Sequence, residues 1–149
     1  MSLKNHLEKN LLISIKEQND TRKKALRLTL SSIKLAEVES GKELDDTAIF
    51  GILQKEIKTR EETIAEAEKA GREEMIAPIA AEITVLKEYL PKELSDDELL
   101  KIIKEIISNS GVTSIKEMGL VMKTTIHEVQ GKASNDRISK IVRELLSAN

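Results

Sequence analysis

The stretch YLPKELSDDELLKIIKEIISNSG, Tyr89–Gly111, decides the fold, because it holds the end of one helix, a break and a complete second helix. Pro91 cannot continue a helix and biases Leu90 away from helical dihedrals. Ser95, with Glu98 three residues on, is a capping box in which each side chain accepts an N–H that the helix leaves unpaired. Leu99, Ile102, Ile103, Ile106 and Ile107 then recur at three- and four-residue steps, and Ser110-Gly111 supplies the stop. The break at 91–95 predicts two domains, 1–91 and 95–149.

Toward the carboxy terminus, Thr113 or Ser114 caps a helix with Ile115, Met118, Val121, Met122, Ile126 and Val129 inward, and Gly131 follows its end. Ser134 or Asn135 caps another whose stripe is Ile138, Ile141, Val142 and Leu145. Three amphipathic helices in about 55 residues predict a small three-helix domain. Met118 and Met122, one turn apart, read as core filling ahead of a ligand groove.

Toward the amino terminus, Ile76, Ile79, Ala80, Ile83, Leu86 and Leu90 keep helical spacing, and Pro78 requires that the regular helix start near Met75–Pro78 or kink there. Before it, Asp45 or Asp46 caps a helix carrying Ile49, Ile52, Leu53, Ile57 and Ile64 up to Ala70-Gly71, about 25 residues and roughly 37 Å long. Its middle, KEIKTREE (Lys55–Glu62), has Ile57 as its one apolar residue; such a stretch either extends beyond a partner or is held by i,i+4 ion pairs. From Asp20 as cap to Gly41, Leu26, Leu30 and Ile33 share a face that Leu28 and Leu35 widen, which predicts cover on two sides. Ser2 caps a first helix with Leu3, Leu7, Leu11 and Ile15 in a stripe. The fold class is all-α.

Composition narrows the function classes. Aromatic residues are 1% of the chain, Phe50 and Tyr89, with no Trp, which disfavours base-stacking modules. The absence of cysteine excludes disulfides and thiolate sites and suits a reducing compartment. The amino-terminal apolar run, Leu11–Ile15, is too short for a signal h-region, and no 18-residue apolar span follows, so a cytoplasmic protein with no membrane partner is expected. The net charge of −2 gives no general attraction to nucleic acid.

Catalytic chemistry finds little purchase. His6 and His127 stand in no metal-binding pattern, no glycine-rich phosphate loop exists, and Glu61, Glu62, Glu66 and Glu68 lack the Glu-x-x-His pairs of di-iron bundles. No serine or threonine has a recognisable base beside it, so neither a catalytic residue, a metal nor a cofactor is assigned. Two basic clusters stand out. Arg22, Lys23, Lys24 and Arg27 open the second helix and read as solvated surface ahead of an anion contact. From Ile115 on, Lys116, Lys123, Lys132, Arg137, Lys140 and Arg143 outnumber Glu117, Glu128, Asp136 and Glu144, and Lys132 sits just before a helix N-terminus where a phosphate can be held.

Several ordered motifs together resemble the YqeY family, small proteins related to the tail domain of the GatB subunit of tRNA-dependent amidotransferases. They are Arg27, Ser31 and Ile33 as R-x-x-x-S-x-I, Arg60-Glu61 with Ile64 running into EKAGRE (Glu68–Glu73), EYLPKELS (Glu88–Ser95), MGLVM (Met118–Met122) and GKA (Gly131–Ala133). The resemblance implies an elongated amino-terminal helical domain joined to a three-helix tail. It also implies a tRNA-associated role, with tRNA or components of amidotransferase and aminoacylation systems as partners. Carried onto this chain, the family motif marks Met118-Gly119, Gly131, Lys132 and Ala133, to which the neighbouring Lys123, Arg137, Lys140 and Arg143 are added on charge. The family's carbon–nitrogen ligase label, with glutamine as amido donor, reads as inherited from the amidotransferase, since the chain resembles neither the amidase subunit nor the catalytic part of GatB. The competing reading is a protein–protein adaptor.

Overall fold

Seven α-helices and two 3-10 turns make up residues 2–147, the part of the chain described by the computed structural model, and no strand occurs among them. The residues up to Leu90 form one compact unit and those from Pro91 on form a second.

The first unit contains α1 (Leu3–Lys16), α2 (Asp20–Ser40), α3 (Asp46–Lys69) and α4 (Ile76–Lys87), the last entered through a 3-10 turn at Glu73–Met75. Side chains accept orphan N–H groups at three of the four starts: Ser2 from Asn5, Asn19 from Arg22 and Asp45 from Ala48. Asn19 displaces Asp20 as the cap of α2, and Asp20 moves into the first turn, where its charge meets the positive end of the helix dipole. Gly41 ends α2 at φ 74°, a left-handed conformation that glycine adopts without a Cβ clash. Pro78 is the third residue of α4, where its missing N–H has no intrahelical partner to lose.

The core of this unit is built from Leu7 of α1, Leu26 and Ile33 of α2, Leu53 and Ile57 of α3 and Leu86 of α4. The two-sided cover expected for α2 does not form. Its three neighbours, α1, α3 and α4, leave Leu28 and Leu35 45% and 59% exposed. On α1, Ile15 is likewise out in solvent; Ser14 takes the buried place and donates its hydroxyl to the Leu11 carbonyl at 2.7 Å.

The polar middle of α3 is not a projecting segment. Arg60 is 8% exposed, and it joins α3 to α4. Its Nη1 donates to Oε2 of Glu56, one turn back, at 2.8 Å and to that residue's carbonyl at 3.0 Å. Its Nε and Nη2 both donate to Oε1 of Glu82 on α4, at 3.2 Å. From α2, the Ser32 hydroxyl donates to Glu56 at 2.7 Å, and the Lys24 ammonium stands 3.7 Å from Glu82. A buried ion pair of this kind adds little net stability once desolvation is counted, but removing one partner strands the other and costs about 3–5 kcal/mol.

Glu37 ties the opposite end together. It accepts the Lys4 ammonium at 2.7 Å and the Leu44 N–H at 3.0 Å, while Asp46 accepts the Leu3 N–H at 3.0 Å, so the start of α1, the end of α2 and the start of α3 are joined.

The second unit contains α5 (Asp96–Ser110), a 3-10 turn (Ile115–Glu117), α6 (Met118–Val129) and α7 (Asn135–Ser147). The capping box at its start is complete, with Ser95 and Glu98 each accepting the other's N–H at 3.1 Å. Leu99 and Ile103, Val121 and Val129, and Ile138 and Val142 form the core, and half-buried Met118 and Met122 pack against it. Ile115, expected inward, is 46% exposed because Ser114 caps a 3-10 turn and the α-helical register begins only at Met118. Thr125 occupies a fully buried position that the apolar stripe passes over, its hydroxyl satisfied by the Val121 carbonyl at 2.7 Å.

The Lys4–Glu37 tie has a pH signature. Hydrogen bonds from Lys4 and from the Leu44 backbone hold the Glu37 carboxyl below the usual carboxylate range. The unfolded chain therefore binds this proton more readily than the folded one, so the contribution is present above the ordinary carboxylate pKa and is lost as pH falls through the depressed value. Glu37→Gln should lower the urea midpoint at pH 7 and flatten the decline between pH 5 and pH 3, read by the fluorescence of Tyr89 in the first core. Parallel pH curves for parent and variant would show that the tie carries no stability.

Candidate functional site

The α6–α7 corner is set by backbone conformation. Gln130 (φ 46°) and Gly131 (φ 81°) are consecutively left-handed, which turns the chain through the corner, and glycine meets the second demand without strain. The Lys132 N–H returns to the Val129 carbonyl at 3.0 Å, and the Lys132 carbonyl accepts the Leu94 N–H at 2.8 Å. Ala133 is buried in the core of the unit. Ser134 then starts α7, its hydroxyl accepting the Arg137 N–H at 3.2 Å and its carbonyl the Ile138 N–H at 3.1 Å. Each residue of Gly131-Lys132-Ala133 thus has a structural task in its backbone or side chain, and only the Lys132 ammonium is left to solvent.

Arg137 is spent on the fold as well. Its Nη2 donates to the Leu94 carbonyl at 2.9 Å and to Asp96 at 2.7 Å, which clamps the segment after Pro91 onto the corner. Lys123, Lys132, Lys140 and Arg143 are exposed, and none is held in a salt bridge among the described residues. They do not converge on one point. Lys123 lies two residues from both Val121 and Thr125, and Lys140 two residues from both Ile138 and Val142, so each projects away from the core on its own helix. Arg143 follows Lys140 by about one turn, roughly 12 Å along α7 from its start.

The field at the corner is mixed. Asp96, Asp97 and Glu98 open α5 nearby, and the Glu98 carboxyl lies below its ordinary range chiefly through the Ser95 N–H, with added attraction from Lys92 and Lys132. Asp136 stands in the first turn of α7. Over the whole second unit, Lys92, Lys101 and Lys104 together with five acids (Glu93, Asp96, Asp97, Glu98, Glu105) cancel the cationic excess that begins at Ile115.

The other basic cluster is dispersed by the fold. Arg22 makes a two-pronged pair with Glu88 at 2.8 and 3.0 Å and reaches the Tyr89 hydroxyl at 3.4 Å; burial pushes that phenol up, opposed by the arginine. Lys23 is 3.7 Å from Asp20 and Lys24 is 3.7 Å from Glu82. Arg27 alone of the four is exposed without a salt bridge among the described residues. No three histidine, aspartate or glutamate side chains are grouped to hold a metal among the described residues. The partners that sequence reasoning missed, Glu82 for Arg60 and Asp96 for Arg137, lie 22 and 41 positions away and leave no local pattern.

The clamp makes a direct prediction. Trypsin should cut first after exposed Lys92, since the chain from Leu94 to Asp96 is held by the corner. Arg137→Ala should release that segment and open a further early cut at Glu93 by a glutamate-specific protease. An unchanged digestion pattern would show that the clamp does not hold the segment.

Comparison with known proteins places this architecture. Residues 4–146 match the family model described as Yqey-like protein. Three relatives carry the name altered inheritance of mitochondria protein 41, mitochondrial. The one from Kluyveromyces lactis is 30% identical over 78% of this chain and 65% of its own. That from Lachancea thermotolerans is 34% identical over 57% and 46%, and that from Vanderwaltozyma polyspora 24% over 91% and 77%. The chain thus spans less than two thirds of the length of the first two. No described helix is long and apolar enough to cross a membrane, and the relatives are mitochondrial by name. On a family match that runs through both units, the chain belongs to the Yqey-like proteins.

Proposed function

We propose that this protein is an accessory module without an active site of its own, whose second unit makes weak, salt-sensitive contacts to tRNA phosphates. One observation carries the reading: Lys123, Lys132, Lys140 and Arg143 are exposed and are not consumed by salt bridges among the described residues. Charges that a fold does not use are available to an anionic surface. Their spread over α6, the corner and α7 suits an extended phosphate backbone better than one small anion, and sequence-independent affinity is what such contacts supply. On this reading the carbon–nitrogen ligase label belongs to the amidotransferase whose tail the second unit resembles. The adaptor reading rests on a different observation, the uncovered outer face of α2.

Because the cations face different directions, two or three phosphates are engaged at once, and log K should fall with log salt at a slope of about −2 to −3. Affinity should lie in the ~1–100 µM range of non-specific contacts. Lys132→Glu with Arg143→Glu should abolish the anisotropy change of labelled total tRNA at 20 mM salt and leave the melting temperature unchanged, since neither side chain is held by the fold. Equal binding by parent and double variant, or no salt-dependent binding by the parent, would remove the tRNA reading and leave the adaptor.

A further inference from the structure

The outer face of α2 carries an apolar stripe that the fold does not use. Leu28, Leu35 and Val38 are 45%, 59% and 71% exposed, with exposed Ser31 between the first two. Positions 28, 31, 35 and 38 step by three, four and three, the a/d spacing of a helix seam, and lie opposite Leu26 and Ile33, which fill the core. The stripe runs about 15 Å along the helix.

One of its two flanks is cationic. Arg27 and Lys34 immediately precede Leu28 and Leu35, in the positions that border such a seam, and neither is held in a salt bridge among the described residues. The acid that could neutralise them, Glu37, is turned toward Lys4 and the Leu44 N–H. Glu39 falls on the other border of the stripe.

We propose that this face docks an amphipathic helix of another protein whose apolar stripe is bordered by aspartate or glutamate. The seam spacing selects a helix, which inserts side chains at i, i+3 or i+4 and i+7 into such a row. The cationic edge formed by Arg27 and Lys34 selects acids on the edge of the partner that faces it. A second copy fits poorly. Antiparallel pairing of two α2 helices opposes Arg27 and Lys34 to one another, and parallel pairing offers only Lys34 with Glu39. A lipid surface is also disfavoured, since three aliphatic side chains interrupted by serine, with no aromatic residue among them, bury little in a membrane. The inference is independent of the tRNA reading, because Lys132 and Arg143 belong to the other unit.

The test uses the full chain and two synthetic 21-residue helical peptides, both with leucine at a and d and differing in glutamate or lysine at e and g. The glutamate peptide should bind at least tenfold more tightly than the lysine peptide at 20 mM salt. Leu28→Ser with Leu35→Ser should weaken it at least tenfold, and Arg27→Glu with Lys34→Glu should reverse the preference. All four positions are exposed, so far-UV circular dichroism and the urea midpoint should stay at parent values. Binding of neither peptide, or a preference unmoved by the charge reversal, overturns the proposal. So does self-association that the serine variant abolishes, or binding to vesicles of 70% phosphatidylcholine and 30% phosphatidylglycerol that the charge variant abolishes, when neither is accompanied by peptide binding.

Discussion

A guanidinium out of water must have its donors met, and Arg60 meets this constraint only where α3 and α4 come together, at carboxylates that α2 also engages. Its three nitrogens are taken up by Glu56 and Glu82, which are in turn engaged by Ser32 and Lys24. Apolar contacts hold the first unit, but they are non-directional and would tolerate rotation of one helix against another. The ion pairs do not. With α2 held by Ser32 and Lys24 on one side and by Glu37 and Lys4 toward its end, Leu26 and Ile33 are inward and Leu28 and Leu35 outward. The uncovered face of α2 is therefore a consequence of where the polar groups are satisfied.

The same sorting of charges governs the second unit. Arg137 and Lys132 are five residues apart and were equal candidates as phosphate ligands, yet one guanidinium is fixed between Leu94 and Asp96 while the Lys132 ammonium remains in solvent. Structural cations are those with a carboxylate or carbonyl in reach on another segment; the remainder form the surface that a partner meets. In the first unit Arg22 and Lys24 belong to the former group and Arg27 to the latter, while Lys23 meets only Asp20 on its own helix.

Local chemistry made much of the fold legible. The capping box at Ser95, the stops at Gly41 and Gly111 and the placement of Pro78 all depend on residues within one turn of each other, and sequence adjacency carries them. Periodicity identified apolar faces but not their cover, so Leu28 and Leu35 were expected inside, and Ile115 was assigned to a helix that begins three residues later. Buried polar residues were invisible for a related reason. Arg60 looks like any other member of KEIKTREE until Glu82, on another helix, is brought beside it. The candidate cations could be named from charge and resemblance, while their division into engaged and unengaged required long-range contacts.

The claim that polar satisfaction orients the first unit is tested most directly by a double-mutant cycle across Arg60 and Glu82. Arg60→Met, Glu82→Leu and the double variant would be compared in urea, with Tyr89, the one tyrosine of the chain and a member of the first core, as the probe. Coupling of about 1–3 kcal/mol, with the double variant closer to the parent than the two single losses together imply, is the predicted result. Losses that simply add would mean that the two groups act independently and that apolar packing alone orients the helices.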